Sequence, residues 1–191
     1  MGLFDLLFIV LGILFFGILV LLIFYYYNKV RILSNRIDNA WAQIDVQLKR
    51  RTDLIPNLIE SVKGYMRHEK KAIVMVTSAR ERMMKAGSPN EKMKASLDLT
   101  AALKTIFAIA ENYPNLKANE NFLDLQNQLN ETENKIAFSR QFYNDTVLMF
   151  NNLITTIPGM WFAKFAGQTK TREYLGITEE ERKPVKVKFE E

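Results

Sequence analysis

The chain has 191 residues, 26 basic and 21 acidic side chains, a net charge of +5 and no cysteine. The missing cysteines exclude a disulfide scaffold and any zinc site built on thiolates, and they suit a reducing compartment. Asp5 is the only charged residue in the first 27, so residues 28–191 carry a net charge of +6.

Leu6 to Tyr27 is 22 residues of Leu, Ile, Val, Phe, Tyr and Gly without a charge. As a helix it extends ~33 Å, which matches the hydrocarbon core of a bilayer. It closes on Tyr25, Tyr26 and Tyr27, in the manner of an interfacial aromatic belt. No basic residue precedes it, and Lys29, Arg31 and Arg36 follow it. A cleaved signal peptide would start basic and have a shorter apolar core. The segment therefore reads as a retained transmembrane anchor over residues 1–28. The positive-inside rule makes the chain single-pass in the cell membrane, with the N-terminus outside and the rest in the cytoplasm.

From Val30 an apolar seam advances by alternating steps of four and three: Val30, Ser34, Ile37, Trp41, Ile44, Leu48, Arg51, Ile55, Leu58, Val62, Tyr65, Glu69, Ala72, Val76, Ala79, Met83. That period belongs to a helical bundle or coiled coil, and alternation of two is absent. The seam predicts one helix from the anchor to residue 86, with Pro56 as a kink that removes the hydrogen bond to the Thr52 carbonyl. Arg51 and Glu69 are the charged residues on the seam. Their expected role is to fix register against the Asn-rich third helix (Asn127, Asn130, Asn134, Asn144), and a binding groove is the second reading.

Gly87 suits a helix C-terminus, and Ser88-Pro89-Asn90-Glu91 reads as N-cap, first helical residue and capping box. A second helix follows over Pro89–Asn112 and stops at Tyr113-Pro114-Asn115. A third starts near Asn119 and carries Phe122, Leu125, Leu129, Ile136, Tyr143, Val147, Phe150 and Ile154 on one side. Pro158-Gly159 ends that region, and a short apolar helix is expected over Met160 to Phe165. The domain reading is an anchor at 1–28, one helical bundle at 29–177 and a charged tail at 178–191, extended or loosely docked. The fold class is all-α: a transmembrane helix followed by an antiparallel bundle of three long helices plus a short fourth.

Catalytic motifs are absent. His68 is the one histidine, and Ala72 stands where a zinc-protease motif needs its second. There is no GxxxxGK[ST], no GxGxxG and no GxSxG. No catalytic, cofactor-binding or metal-binding residue is assigned, and no cofactor is expected. The basic clusters at Lys49-Arg50-Arg51, Arg67 to Lys71 and Arg80 to Lys85 lack interleaved aromatics. They read as solvated, salt-bridged helix faces and not as a nucleic-acid platform.

Three stretches carry a family likeness: YNKVRILSNRI, AWAQIDVQLKRRTDLIPNLIESVKGY with His68-Glu69 shortly after, and ENYPNLKANENFLDLQNQLNETENKIAFSRQFYND. Together they resemble the LemA family over almost the whole chain. The resemblance implies a bacterial membrane protein with an N-terminal anchor and an antiparallel helical bundle. It implies no enzyme activity and supplies no catalytic residues. The segment GQTKTREYLGIT departs from the Phe-rich stretch the family carries there.

Two functions from different classes follow. The first is a non-enzymatic, membrane-anchored scaffold or adaptor that offers a helical bundle to an unidentified membrane or cytoplasmic protein or to a second copy. The alternative is a hydrolase-like enzyme with a site in the bundle. Self-association rests on lengths: one helix over 28–86 extends ~88 Å against ~35 Å and ~54 Å for the next two. The membrane-proximal seam at Ile37, Trp41, Ile44 and Leu48 would then lie bare. The contrary reading bends the first helix at Pro56 or Gly64 and lets its own bundle cover that seam. The residues singled out for interaction are Trp41, Ile44, Leu48, Arg51 and Glu69, and the remaining partner is the lipid bilayer.

Overall fold

The structure, a computed structural model, describes residues 2–66 and 68–176, with the side chain of Leu3 excepted. It is all-α, with no strand among the described residues. The helices are α1 (Leu3–Lys63), α2 (Lys70–Lys85), α3 (Pro89–Ala110), α4 (Pro114–Lys117), α5 (Glu120–Thr155) and α6 (Gly159–Phe165). The tail expected at 178–191 lies outside the described residues.

The apolar segment and the start of the seam form one uninterrupted helix, α1. Within the apolar segment the large side chains are almost all exposed, Phe8 to 71 % and Leu21 to 69 %. A core helix of a soluble domain would bury such residues, so this stretch is a candidate membrane span.

The long helix expected over 28–86 is in fact two. α1 ends at Lys63, and residues 64–66, 68 and 69 lie outside any helix before α2 begins at Lys70. Of the two bends considered, Gly64 and not Pro56 marks the break: α1 passes through Pro56 as helix. The Thr52 carbonyl freed by Pro56 accepts a hydrogen bond from Arg80 Nε of α2 at 3.0 Å. The seam continues across the break. All its members are buried except Trp41, Tyr65 and Glu69.

The chain divides into two compact units whose boundary falls inside α1 and α5. One holds residues 2–40 and 142–174, the other 41–141 with 175 and 176. In the larger unit four helices alternate in direction. α2 returns along α1, α3 turns back after residues 86–88, and α5 runs against α3, as Phe107 with Phe122 and Thr100 with Glu133 show. The core holds Ile44, Leu48, Ile55, Leu58, Val76, Leu99, Ile106 and Leu129. In the smaller unit Val30, Leu33 and Ile37 of α1 are buried, as are Val147, Phe150 and Ile154 of α5.

The Ser88 capping box forms as read. Ser88 Oγ accepts from the Glu91 amide at 3.2 Å, and Glu91 Oε2 accepts from the Ser88 and Gly87 amides at 3.1 and 3.0 Å. Gly87 does not close α2 in a left-handed conformation. Ala86 is the C-cap, in extended backbone, and the only glycine with positive φ is Gly167. The Gly87 amide serves the next helix instead.

Two outcomes follow. Arg80→Met leaves the buried Thr52 carbonyl without a donor and is expected to cost about 1–3 kcal/mol. Pro56→Ala returns an N–H to that carbonyl, so in a double-mutant cycle by urea unfolding it should recover part of the loss. The Ser88 amide first, then Gly87, hold the Glu91 carboxyl below its usual range. A depressed folded value means that the stabilisation is present above the unfolded value and fades as pH falls through the folded one. Glu91→Gln should therefore flatten the acid limb of a melting-temperature profile.

Candidate functional site

Arg51 is where the larger unit concentrates its buried polarity. Its place on the apolar seam of α1 turns it into the bundle, and it is 2 % exposed. Nη1 pairs with Glu133 Oε2 of α5 at 2.5 Å and donates to Thr100 Oγ1 at 3.1 Å and Ser96 Oγ at 3.3 Å, both on α3. Thr100 Oγ1 also lies 3.2 Å from Glu133 Oε1 and 3.0 Å from the Ser96 carbonyl. One hydroxyl proton can serve only one of these acceptors at a time. Arg51 Nε is buried and has no partner among the described residues.

Burial pushes the Arg51 guanidinium below its ordinary value, and the Glu133 carboxylate pulls it back up. The group stays a cation at neutral pH because its ordinary value is so high. Such a cluster holds helices in register. It has no free acid or base to offer a substrate.

The sequence points Arg51 to the third helix, and α5 does supply its counter-charge. The partner is Glu133 and not one of the four asparagines, and α3 adds two hydroxyls. Nothing in the spacing of Ser96, Thr100 and Glu133 within their own helices marks them as a set. Glu69 goes elsewhere: it accepts from the Tyr113 hydroxyl at 3.3 Å, which ties the turn before α2 to the start of α4. Burial beside Glu69 raises the Tyr113 phenol, and the nearby carboxylate adds to the rise.

Ile44 and Leu48 are 0 % and 2 % exposed, and Ile37 is 2 % exposed. The bare seam expected near the membrane is thus covered within the chain, and the argument for self-association from it falls. A second copy could reach Ile44, Leu48 or Arg51 only by opening the bundle. Trp41 is half-buried, with Lys92 Nζ 5.9 Å above its ring.

Two grooves in this unit hold ionisable groups. One of about 220 Å³ is lined by Asp45, Lys49, Asp53 and Lys92 with Met83 and Met84. Asp45 pairs with Lys92, and Asp53 with Lys49 at 3.1 Å. Each carboxylate there already faces a cation. The second, shallower groove, of about 720 Å³, has Lys63, Lys70 and the exposed His68 around Met66 and Ile73. Among the described residues no group of carboxylates and His68 converges in a way that could hold a metal.

The smaller unit carries a different feature. Just past the apolar segment, α1 and the end of α5 enclose a groove of about 750 Å³, with Ile32, Leu33, Met149 and Leu153 as its apolar walls. Lys29 and Arg36 stand at its rim, and no carboxylate lines it. Lys29 Nζ lies 3.3 Å from the Tyr25 hydroxyl and 5.4 Å over that ring. The chain after α6 packs on this unit. The Arg172 amide donates to Asn151 Oδ1 at 2.8 Å, and the Asn151 amide donates to the Arg172 carbonyl at 2.9 Å. Arg172 Nη2 reaches Ser34 Oγ at 3.2 Å. Arg172, inside the segment that departs from the family pattern, is thus fixed on α1 and α5.

The model of the LemA family matches residues 40–189. The chain is similar to Protein LemA of Metamycoplasma hominis, with 29 % identity over 151 residues that cover 74 % of this chain and 67 % of that protein.

The two members of the Arg51 pair should respond unequally. Glu133→Ala leaves a buried guanidinium without its counter-charge and is expected to cost about 2–3 kcal/mol, moderated because the Glu133 side chain is 38 % exposed. Arg51→Met keeps the volume and lets Glu133 turn to solvent, so it should stay within about 1 kcal/mol of the parent. Chemical denaturation of both variants checks the order.

Proposed function

The chain belongs to the LemA family, and we propose that it acts as a membrane-anchored, non-enzymatic adaptor. In this reading residues 6–27 cross the bilayer once and the helical bundle stands in the cytoplasm. Lys29, Arg31 and Arg36, directly after the span, favour that orientation.

One observation carries the adaptor reading. An apolar groove of the smaller unit opens beside the end of the apolar segment, with two cations and no carboxylate in its lining. Its occupant is an acidic amphipathic helix that follows a partner's own transmembrane segment. Ile32 and Met149, 52 % and 58 % exposed, would be its anchor points. Charge complementarity to Lys29 and Arg36 would steer the encounter. The carboxylate groove of the larger unit gives less support to hydrolysis, because Asp45 and Asp53 face lysines and lack the free acid and base that the reaction needs.

A photo-crosslinking residue placed at Met149, and separately at Glu81 on the larger unit, tests this in living cells. A discrete protein adduct is expected from position 149 alone, and Lys29→Glu with Arg36→Glu should remove it. Equal yields from both positions, or lipid adducts only, would sink the adaptor reading.

A further inference from the structure

We propose that α6 is a second membrane contact, a foot that sets Met160, Trp161 and Phe165 into the headgroup region of the leaflet where the span ends. The proposal rests on the reading that residues 6–27 cross the bilayer. Tyr26, in the aromatic belt of that span, stacks on Phe162 of α6 with ring centroids 5.1 Å apart and planes 12° from parallel. The stack places α6 at the depth of the belt, so its outer side faces lipid headgroups as soon as the span is inserted.

The side chains of α6 are distributed the wrong way round for a soluble surface helix. Gly159 and Ala163, its small residues, are the buried ones. Trp161 and Phe165 are exposed to 55 % and 77 %, and Ile157, just before the helix, to 67 %. A helix that meets water keeps its large apolar residues inside. One that lies in an interface turns them outward and down.

The small residues are what hold the foot in place. A Cβ at Gly159 would come 2.1 Å from the Leu153 carbonyl oxygen. The backbone of α6 therefore presses directly on the last turns of α5, and only glycine admits that approach. The outward side chains have no freedom to fold back under the helix.

Charge agrees with this placement. From Thr146 to Arg172 the sequence has no acidic residue; Lys164 and Lys170 are cations there, and Arg172 pairs with Asp38 of α1 at 3.9 Å. Lys29, Arg31 and Arg36 add to them from α1. Basic side chains beside an apolar patch favour a bilayer with anionic lipid. Lys164 can lay its methylenes along the acyl boundary and keep its ammonium among the phosphates.

The test uses the full chain reconstituted in phosphatidylcholine–phosphatidylglycerol vesicles, with lipids brominated either near the headgroup or deep in the acyl chain. Indole emission should be quenched about twofold more by the shallow bromines, as an interfacial side chain requires. Trp161→Phe should abolish that quenching and leave the emission of Trp41. Dilution of the protein in lipid should not change it. Quenching lost on dilution would assign this surface to a second copy and overturn the foot. Vesicle flotation reports the anchor separately. A chain that floats but whose Trp161 stays unquenched overturns the foot alone, and a chain that does not float overturns the anchor and the foot with it. Trp161→Phe should retain the parent's helix content by circular dichroism. If it does not, Phe165→Glu serves in its place, and unchanged Trp161 quenching in that variant also overturns the proposal.

Discussion

One turn of α1 commits the larger unit to its arrangement. Residues 51 and 52 both lie inside the bundle, and both bring polar groups that the helix itself cannot satisfy. Pro56 deprives the Thr52 carbonyl of its intrahelical donor, and Arg80 of α2 supplies another. Arg51 reaches past the seam to Ser96 and Thr100 of α3 and Glu133 of α5. Four helices thus meet at two adjacent residues. An unpaired carbonyl or guanidinium in that position would cost several times what a surface contact gains. Alternative registers are penalised for that reason, even if the pair adds little net stability.

This also gives the proline a purpose in physical terms. A proline inside a straight helix costs about 3 kcal/mol, part of it the lost hydrogen bond. Here the lost bond is replaced from a neighbouring helix, so the penalty becomes a dependence of α1 on α2. The chain stays helical through residue 56 and ends α1 at Lys63, where the Val62 carbonyl accepts from the Tyr65 and Met66 amides of the turn.

The smaller unit is held by different means. Its polar contacts include the Asn151 side chain on the backbone at Arg172 and the Arg172 guanidinium on Ser34 and Asp38, and at Gly159 backbone packs on backbone. Amide pairing and glycine contact fix position without a buried charge. That leaves the cations of this unit, Lys29 and Arg36 at the groove and Lys164 on α6, for external groups.

Local chemistry was legible in the sequence. The uncharged run over residues 6–27, the seam from Val30, the capping box at Ser88 and Glu91, the start of α5 near Asn119 and the short helix near Met160 all depend on residues within a few positions of each other. Hydrophobic period, capping and breaker residues report such elements because their physics is local. Tertiary structure decided the rest. A seam of constant period runs on past the end of α1 into α2, since each half keeps its phase, so periodicity could not show where the helix doubles back. Once it does, Ile44 and Leu48 acquire cover that a single long helix would have denied them. Arg51 was marked as a polar residue on an apolar seam, but its partners lie 45 to 82 positions away. Only the packing of α1, α3 and α5 brings Ser96, Thr100 and Glu133 to one point. The stack of Tyr26 on Phe162 and the grip of Asn151 on Arg172 arise in the same way: the belt marks Tyr26, but nothing in either neighbourhood pairs it with Phe162 or Asn151 with Arg172.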